Sequence, residues 1–420
     1  MTKKYIYFFL VYLFFCGNLY SQESQDKKLY TDTIPGKEYS FILQDSPSSL
    51  FTMRQSNENF LSLYRLGVRE IDKSFSPKVS SITQILLQAF FFMPLTHEEG
   101  HRSILTNAGI GSISKPYFNK DLAAYVTGVT DQSLIDLRKN NLPVFTRMYI
   151  GGVESDYALL LRENSLMNFR DESRRILWTE YVLRKLNVIS YYAMGLFKYE
   201  IGIEEEKNEL ERDIAGMDVY GAIRALHNPT MEFKRYVNYA DLQPEERKFV
   251  KRVGWRSFIN LIDPTLIFDK GFNIKDQLQI NFNLGYSMAP FGDFIDEHFW
   301  LKTKSLRTHF YFRQYQNKDN WFPAFGVDFQ NMKFAKNLYT SAAFHAWSQP
   351  KDLLFYQKDS KTGGAIDVLF KYRFPVRNIS SLSGISINLG VIAKTQGFLL
   401  EEVEMDKKIG IRLGTSFWLK

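Results

Sequence analysis

The sequence predicts an α+β chain: an all-helical domain followed by a C-terminal antiparallel β-barrel of about eight strands. Three observations predict it. Between residues 79 and 265, apolar side chains recur at steps of three and four, the helical period. From about Gly271 the period changes to two, the signature of half-buried strands. Aromatic residues make up 16% of the chain and crowd its last third, where strands favour them.

Four segments follow, and the first reads as an export signal. Lys3 and Lys4 precede an apolar run from Tyr5 to Cys16, and residues 1–22 have the layout of a secretory signal peptide. The run is short for a transmembrane helix. Cys16 is the only cysteine, so the chain without the signal would carry no disulfide and no thiol chemistry. The net charge of +7 falls to +5 without the two lysines, and no dense basic run remains, which argues against nucleic acid as a partner.

Residues 23–78 read as a loop-rich lead-in with one helix near Glu58 to Asp72, because Pro35-Gly36 and Asp45-Ser46-Pro47 are turn signals. Residues 79–265 form the helical domain. Its focus is His97-Glu98-Glu99-Gly100-His101. Leu86, Phe90, Met93, His97, His101 and Leu105 fall on roughly one helical face, so both imidazoles continue an apolar stripe and point inward. Two histidines four apart can reach one ion, and Zn2+ suits two neutral nitrogens plus one further donor. Glu98 then lies where it can take a proton from water beside that ion. Pro94 either opens this helix or kinks it one turn before the motif.

HEEGH on an apolar helix, followed by Gly109 and Gly111, resembles the H-E-x-G-H of zinc metallopeptidases, most closely the site-2-protease type. The resemblance spans about 30 of 420 residues. It implies zinc ligation by His97 and His101, general-base action by Glu98, and a peptide or protein substrate. The Asn-Pro-Asp-Gly and Leu-Asp-Gly segments of that type are absent, so the third ligand must be read from the residues themselves.

Two carboxylates stand out. Glu154 follows Gly151-Gly152, a pair that lets backbone pass close to another element, here the HEEGH helix. Asp218 sits on the edge of the apolar face of a helix expected over Glu204 to Leu226, where an unpaired carboxylate would cost several kcal/mol. Asp213 and Asp156 are weaker candidates, and a structural salt bridge is as good a role for either leading residue. His227, His298, His309 and His345 form no obvious set. Further helices are expected at Asp131 to Asn140, Arg174 to Phe197 (interrupted by Arg184 and Lys185) and Pro244 to Ile262.

In residues 271–420, Leu278, Ile280, Phe282, Leu284, Tyr286 and Met288 alternate with polar residues, and Ile366 to Phe374 and Ile409 to Leu419 do the same. Such strands suit either a soluble sheet that buries the apolar face or an outer-membrane barrel that shows it to lipid. Strand length, aromatic content and a charged second face favour the barrel. This region resembles small outer-membrane barrels in architecture, although the terminal Leu419-Lys420 departs from their usual final aromatic. The expected placement is therefore the outer membrane, in contact with its lipid, with the helical domain in the periplasm. The expected function is a zinc-dependent peptidase of the cell envelope. The alternative is an outer-membrane assembly or scaffold protein whose metal only staples helices.

Overall fold

The first element among the described residues is a strand, β1 (Lys37–Ser46), in the stretch expected to be loop. The structure, a computed structural model, describes residues 36–48, 51–117, 124–200, 205–268, 271–275 and 278–420; the expected signal peptide lies outside them. The described residues form one compact unit. Helix α1 (Met53–Ser74) follows, with the Thr52 side chain accepting from the Gln55 backbone N–H as its cap. Helix α2 (Pro77–Leu87) passes through a π turn (Gln88–Phe92) into α3 (Met93–Asn107). Pro94 stands in the first turn of α3 directly after that π turn, inside a continuous helical run, so its missing N–H is accommodated by the irregular turn and not by a fresh helix start. The run Pro77–Asn107 is long and apolar enough to cross a membrane, yet its second half lies inside the protein.

A two-stranded hairpin, β2 (Ile113–Lys115) and β3 (Tyr125–Thr127), comes next, then α4 (Asp131–Asn140), α5 (Leu142–Asn168) and α6 (Arg174–Ala193). Gly151 and Gly152 therefore fall inside α5. Helix α7 (Asp218–His227) starts well after the expected Glu204. The residues before it are held by β3 instead: the Ile214 N–H donates to the Val126 carbonyl at 3.0 Å, and the Gly128 N–H to that of Leu210 at 2.9 Å. Backbone groups committed to a strand are not free to form a helix. Helix α8 (Pro244–Arg256) ends in a 3-10 segment, Ser257–Leu261.

The sheet has ten strands in the order β1-β12-β11-β10-β9-β8-β7-β6-β5-β4, all neighbours antiparallel. Here β4 is Phe272–Lys275, β5 Leu278–Ala289, β6 Gly292–Lys302, β7 Arg307–Gln316 and β8 Trp321–Lys333; β9 is Leu338–Pro350, β10 Ser360–Pro375, β11 Leu382–Lys394 and β12 Lys408–Leu419. The expected barrel is not closed, because β1 and β4 stand at opposite ends of this order. Part of each edge is bonded instead to other elements: Ile42 of β1 to Gln55 and Asn59 of α1, and Tyr286 of β5 to Asn260. The helices lie against the sheet's polar face. α5 is the hub: it packs on α3, α6 and α7 and reaches the inner side of β5 and β6.

Candidate metal centre

Three elements build the site. Helix α3 supplies His97 and His101, one turn apart on its buried face, and the buried Glu98 next to His97. Helix α7 supplies Asp218 from its first turn, where the helix dipole favours a carboxylate. Helix α5 supplies the wall. α3 and α5 approach so closely that a Cβ on Gly100 would lie 2.3 Å from the Gly151 carbonyl oxygen. A Cβ on Gly152 would lie 2.3 Å from His97 Nε2 and 2.5 Å from His101 Nε2. The glycine pair does pass close to the HEEGH helix, and Gly152 keeps the space beside both nitrogens open.

His97, His101 and Asp218 form a buried group able to hold a metal ion, with one ligand atom of each within 4.8 Å of the others. Asp218 Oδ2 lies 3.1 Å from His97 Nε2 and 3.4 Å from His101 Nε2. Donors spaced tetrahedrally at bond lengths of about 2.0–2.1 Å would be about 3.3 Å apart, so this spacing fits a small divalent ion. The other ring nitrogens are fixed: His97 Nδ1 faces Asp156 Oδ2 at 2.9 Å, and His101 Nδ1 faces the Met148 carbonyl at 2.6 Å. With those nitrogens donating, Nε2 of both rings turns toward Asp218. Burial would lower the imidazoles, but Asp156 and Asp218 overcome it and favour their charged form, and a bound ion would take the place of the Nε2 protons. Burial alone would raise the Asp218 carboxyl, but the two imidazoles outweigh it and hold it well below the usual carboxylate range. Asp156 is held low in the same way, burial being overcome by His97 and by Arg184.

Glu98, 7% exposed, lies in the field of both imidazoles, Asp218 and Asp156. Asp213 is close enough for Glu98 and Asp218 to act on it; with burial they push its carboxyl well above the ordinary range. Its Oδ1 accepts from the Val126 and Ile214 N–H groups at 3.0 and 2.8 Å, so it braces the approach to α7.

Glu154 is not part of the group. It forms a fully buried two-pronged ion pair with Arg147 (2.9 and 2.6 Å) and accepts from the Glu401 N–H. Asp156, read as a weak ligand candidate, stands behind His97 instead. The sequence reading missed the face of α6. Glu180, Arg184, Asn187 and Tyr191 recur at steps of four, three and four, and all serve the site. Arg184 and Asn187 donate to the two oxygens of Asp156, Glu180 accepts from Arg184, and the Tyr191 ring stacks on His97 at 4.7 Å. That spacing was the available signal. The remaining histidines also gather in part: His298 Nδ1 and His309 Nε2 are 3.0 Å apart on the inner face of the sheet, and His345 bonds Tyr311.

Compared with known proteins, the chain matches no family model, no curated protein and no solved structure. The reading of the site rests on its own chemistry.

Proposed function

We propose that this chain is a zinc-dependent peptidase of the bacterial cell envelope. The observation that carries the reading is the His97–His101–Asp218 group with the Glu98 carboxyl beside it, all on elements fixed by buried contacts. Two imidazole nitrogens and one carboxylate match the donor set and open coordination of a catalytic zinc site. A divalent cation held there would supply Lewis acidity toward a peptide carbonyl and acidify a nearby water. Glu98 takes the proton from that water and returns it to the leaving amine. Asp156 keeps the proton of His97 on Nδ1, and His101 is locked by Met148. The placement proposed is export and retention at the outer membrane, with recovery in outer-membrane fractions. Recovery of the intact chain as a soluble periplasmic protein would refute that placement.

A second reading is supported by one observation. His97 and His101 are 4% and 2% exposed, which also suits a metal that only staples helices in a non-catalytic assembly protein. Glu98→Gln separates the two. Under the peptidase reading, hydrolysis of a protein substrate such as casein falls by at least 10²-fold while zinc content and melting temperature stay as in the parent. Unchanged function in the cell with no hydrolysis by either protein would leave the scaffold reading.

A further inference from the structure

The sheet is inverted relative to that of a water-soluble protein. Its inward positions carry most of the charges, many in buried or half-buried pairs: Arg313 with Asp296, Lys371 with Glu38, Lys408 with Glu402, Arg412 with Asp367. Its outward positions are mostly apolar, with a few uncharged polar residues such as Gln314 and Thr362 among them. Phe312 stands opposite Phe325, Phe344 opposite Ile366, and Val391 opposite Ile411, so the exposed face runs unbroken from β7 to β12. Phe325 is 55% exposed and Ile409 80%. Among the described residues, Glu297 is the single charged side chain at an outward position of β5–β12. A contiguous apolar face of this extent on a monomer marks an interaction surface.

The edges of the sheet say which kind. On β1, Gln55 Nε2 donates to the Ile42 and Leu43 carbonyls at 3.1 and 3.0 Å. Asn59 both accepts from the Ile42 N–H at 2.8 Å and donates to its carbonyl at 3.0 Å, and Ser62 Oγ donates to the Ser40 carbonyl at 2.6 Å. These three side chains recur at steps of four and three along one face of α1. On the other edge, β4 covers only the start of β5. Beyond it the Leu284 N–H donates to the Ile262 carbonyl at 2.9 Å, and the Met288 N–H to the Tyr192 hydroxyl at 3.1 Å. Between them, Asn260 bonds both the N–H and the carbonyl of Tyr286 at 3.0 Å. In water such edge groups are served by solvent; in hydrocarbon each one left unpaired costs several kcal/mol, and open edges do not occur.

We propose that the outward face of β5–β12 sits in the hydrocarbon of a lipid bilayer. In this arrangement α1 covers the outer groups of Ser40 to Leu43 on β1, and Asn260, Ile262 and Tyr192 cover those of β5 beyond β4, where further strands would continue a barrel. The occupant is lipid and not a second protein, because a protein partner would require neither sealed edges nor so uniform an absence of charge. The dimensions agree. β8, β9 and β11 have 13 residues each, which at ~3.3 Å per residue and ~45° tilt span about 30 Å, the thickness of a bilayer's hydrocarbon. The inference rests on the proposed export only for which bilayer is entered, and is independent of the peptidase reading.

The test uses the full chain with Cys16→Ser and single cysteines at outward positions: Phe312→Cys, Phe344→Cys or Leu389→Cys. Lys336→Cys, in the exposed loop between β8 and β9, is the control. Nitroxide-labelled proteins are reconstituted into phosphatidylethanolamine–phosphatidylglycerol vesicles. The expected result is that labels at 312, 344 and 389 relax with dissolved oxygen far more than with a water-soluble nickel complex, by at least fivefold relative to position 336. Equal access to the nickel complex at all four positions overturns the proposal. So does spin–spin broadening at 312 and 344 without lipid, the mark of a second copy on this face. Asn59→Ala tests the seal: it should lower the yield of vesicle-inserted protein severalfold, and an unchanged yield overturns the edge argument.

Discussion

Gly152→Ala is the sharpest probe of the metal centre, because its two consequences have opposite signs. Inside a helix, alanine is favoured over glycine by about 1 kcal/mol, so by propensity alone the variant should be more stable. The added methyl, however, would lie 2.3 Å from His97 Nε2 and 2.5 Å from His101 Nε2. A carbon–nitrogen contact is comfortable near ~3.5 Å, so the overlaps are about 1 Å each. They can be relieved only by moving α5 or by turning the imidazoles. Metal–ligand distances tolerate errors of only ~0.2 Å, so either response removes at least one nitrogen from coordination. The expected loss in zinc affinity is at least 10²-fold, about 2.8 kcal/mol at 1.4 kcal/mol per tenfold. Competition with a chromophoric chelator measures the affinity, elemental analysis after dialysis the stoichiometry, and a thermal melt in chelator the fold. A variant that melts near the parent when both are metal-free, yet has lost zinc, is the expected outcome. Parental stoichiometry and an affinity within threefold would refute binding of the ion between His97 and His101.

Three further predictions follow from neighbouring contacts. Asp156→Asn keeps the size of the side chain but removes the charge behind His97, and zinc affinity should fall 10- to 100-fold in the same competition assay. Glu154→Gln breaks the buried pair with Arg147, so it should destabilise the protein by roughly 3–5 kcal/mol in denaturant titration while leaving zinc affinity within twofold. Glu163, fully buried beside Glu180, is held well above the ordinary glutamate range by burial and then by Glu180. A folded-state pKa above the unfolded one means that stability is full below about pH 4.3 and is lost as pH rises toward the folded value. Glu163→Gln should therefore flatten that decline, with melting curves that match the parent at pH 4 and lie above it at pH 8.

What was legible in the sequence was what local periodicity determines. His97, Glu98 and His101 needed only the helical repeat, and the glycine pair announced its close approach through composition. Asp218 was visible as a carboxylate too costly to bury bare, although the helix was drawn to begin at Glu204. The error arose because residues 210–214 bond to β3, a partner more than 80 residues away that no local pattern reveals. Arg184 looked like an interruption of an apolar helix because its purpose, Asp156, lies on another helix. β1 was hidden for the same reason: its polar, turn-flanked sequence becomes a strand only by pairing with β12 at the far end of the chain.

The sheet shows where that limit has physical content. Alternation along a strand reports that its two faces differ, and it located both faces of β5–β12. It carries no information about edges, since closure depends on which groups reach the outermost backbone amides. In this chain those groups are Gln55, Asn59 and Ser62 from the helix that follows β1, and Tyr192, Asn260 and the Ile262 carbonyl from elements that precede β5. An α1 stripe that looks merely polar in sequence thus does the work of a missing strand. The helices that occupy the sheet's polar face also bring the metal ligands together, through α5, which touches both α3 and the inner side of β5 and β6. The candidate metal centre and the inverted sheet are consequences of one packing arrangement, with polar groups gathered inside and apolar ones turned out.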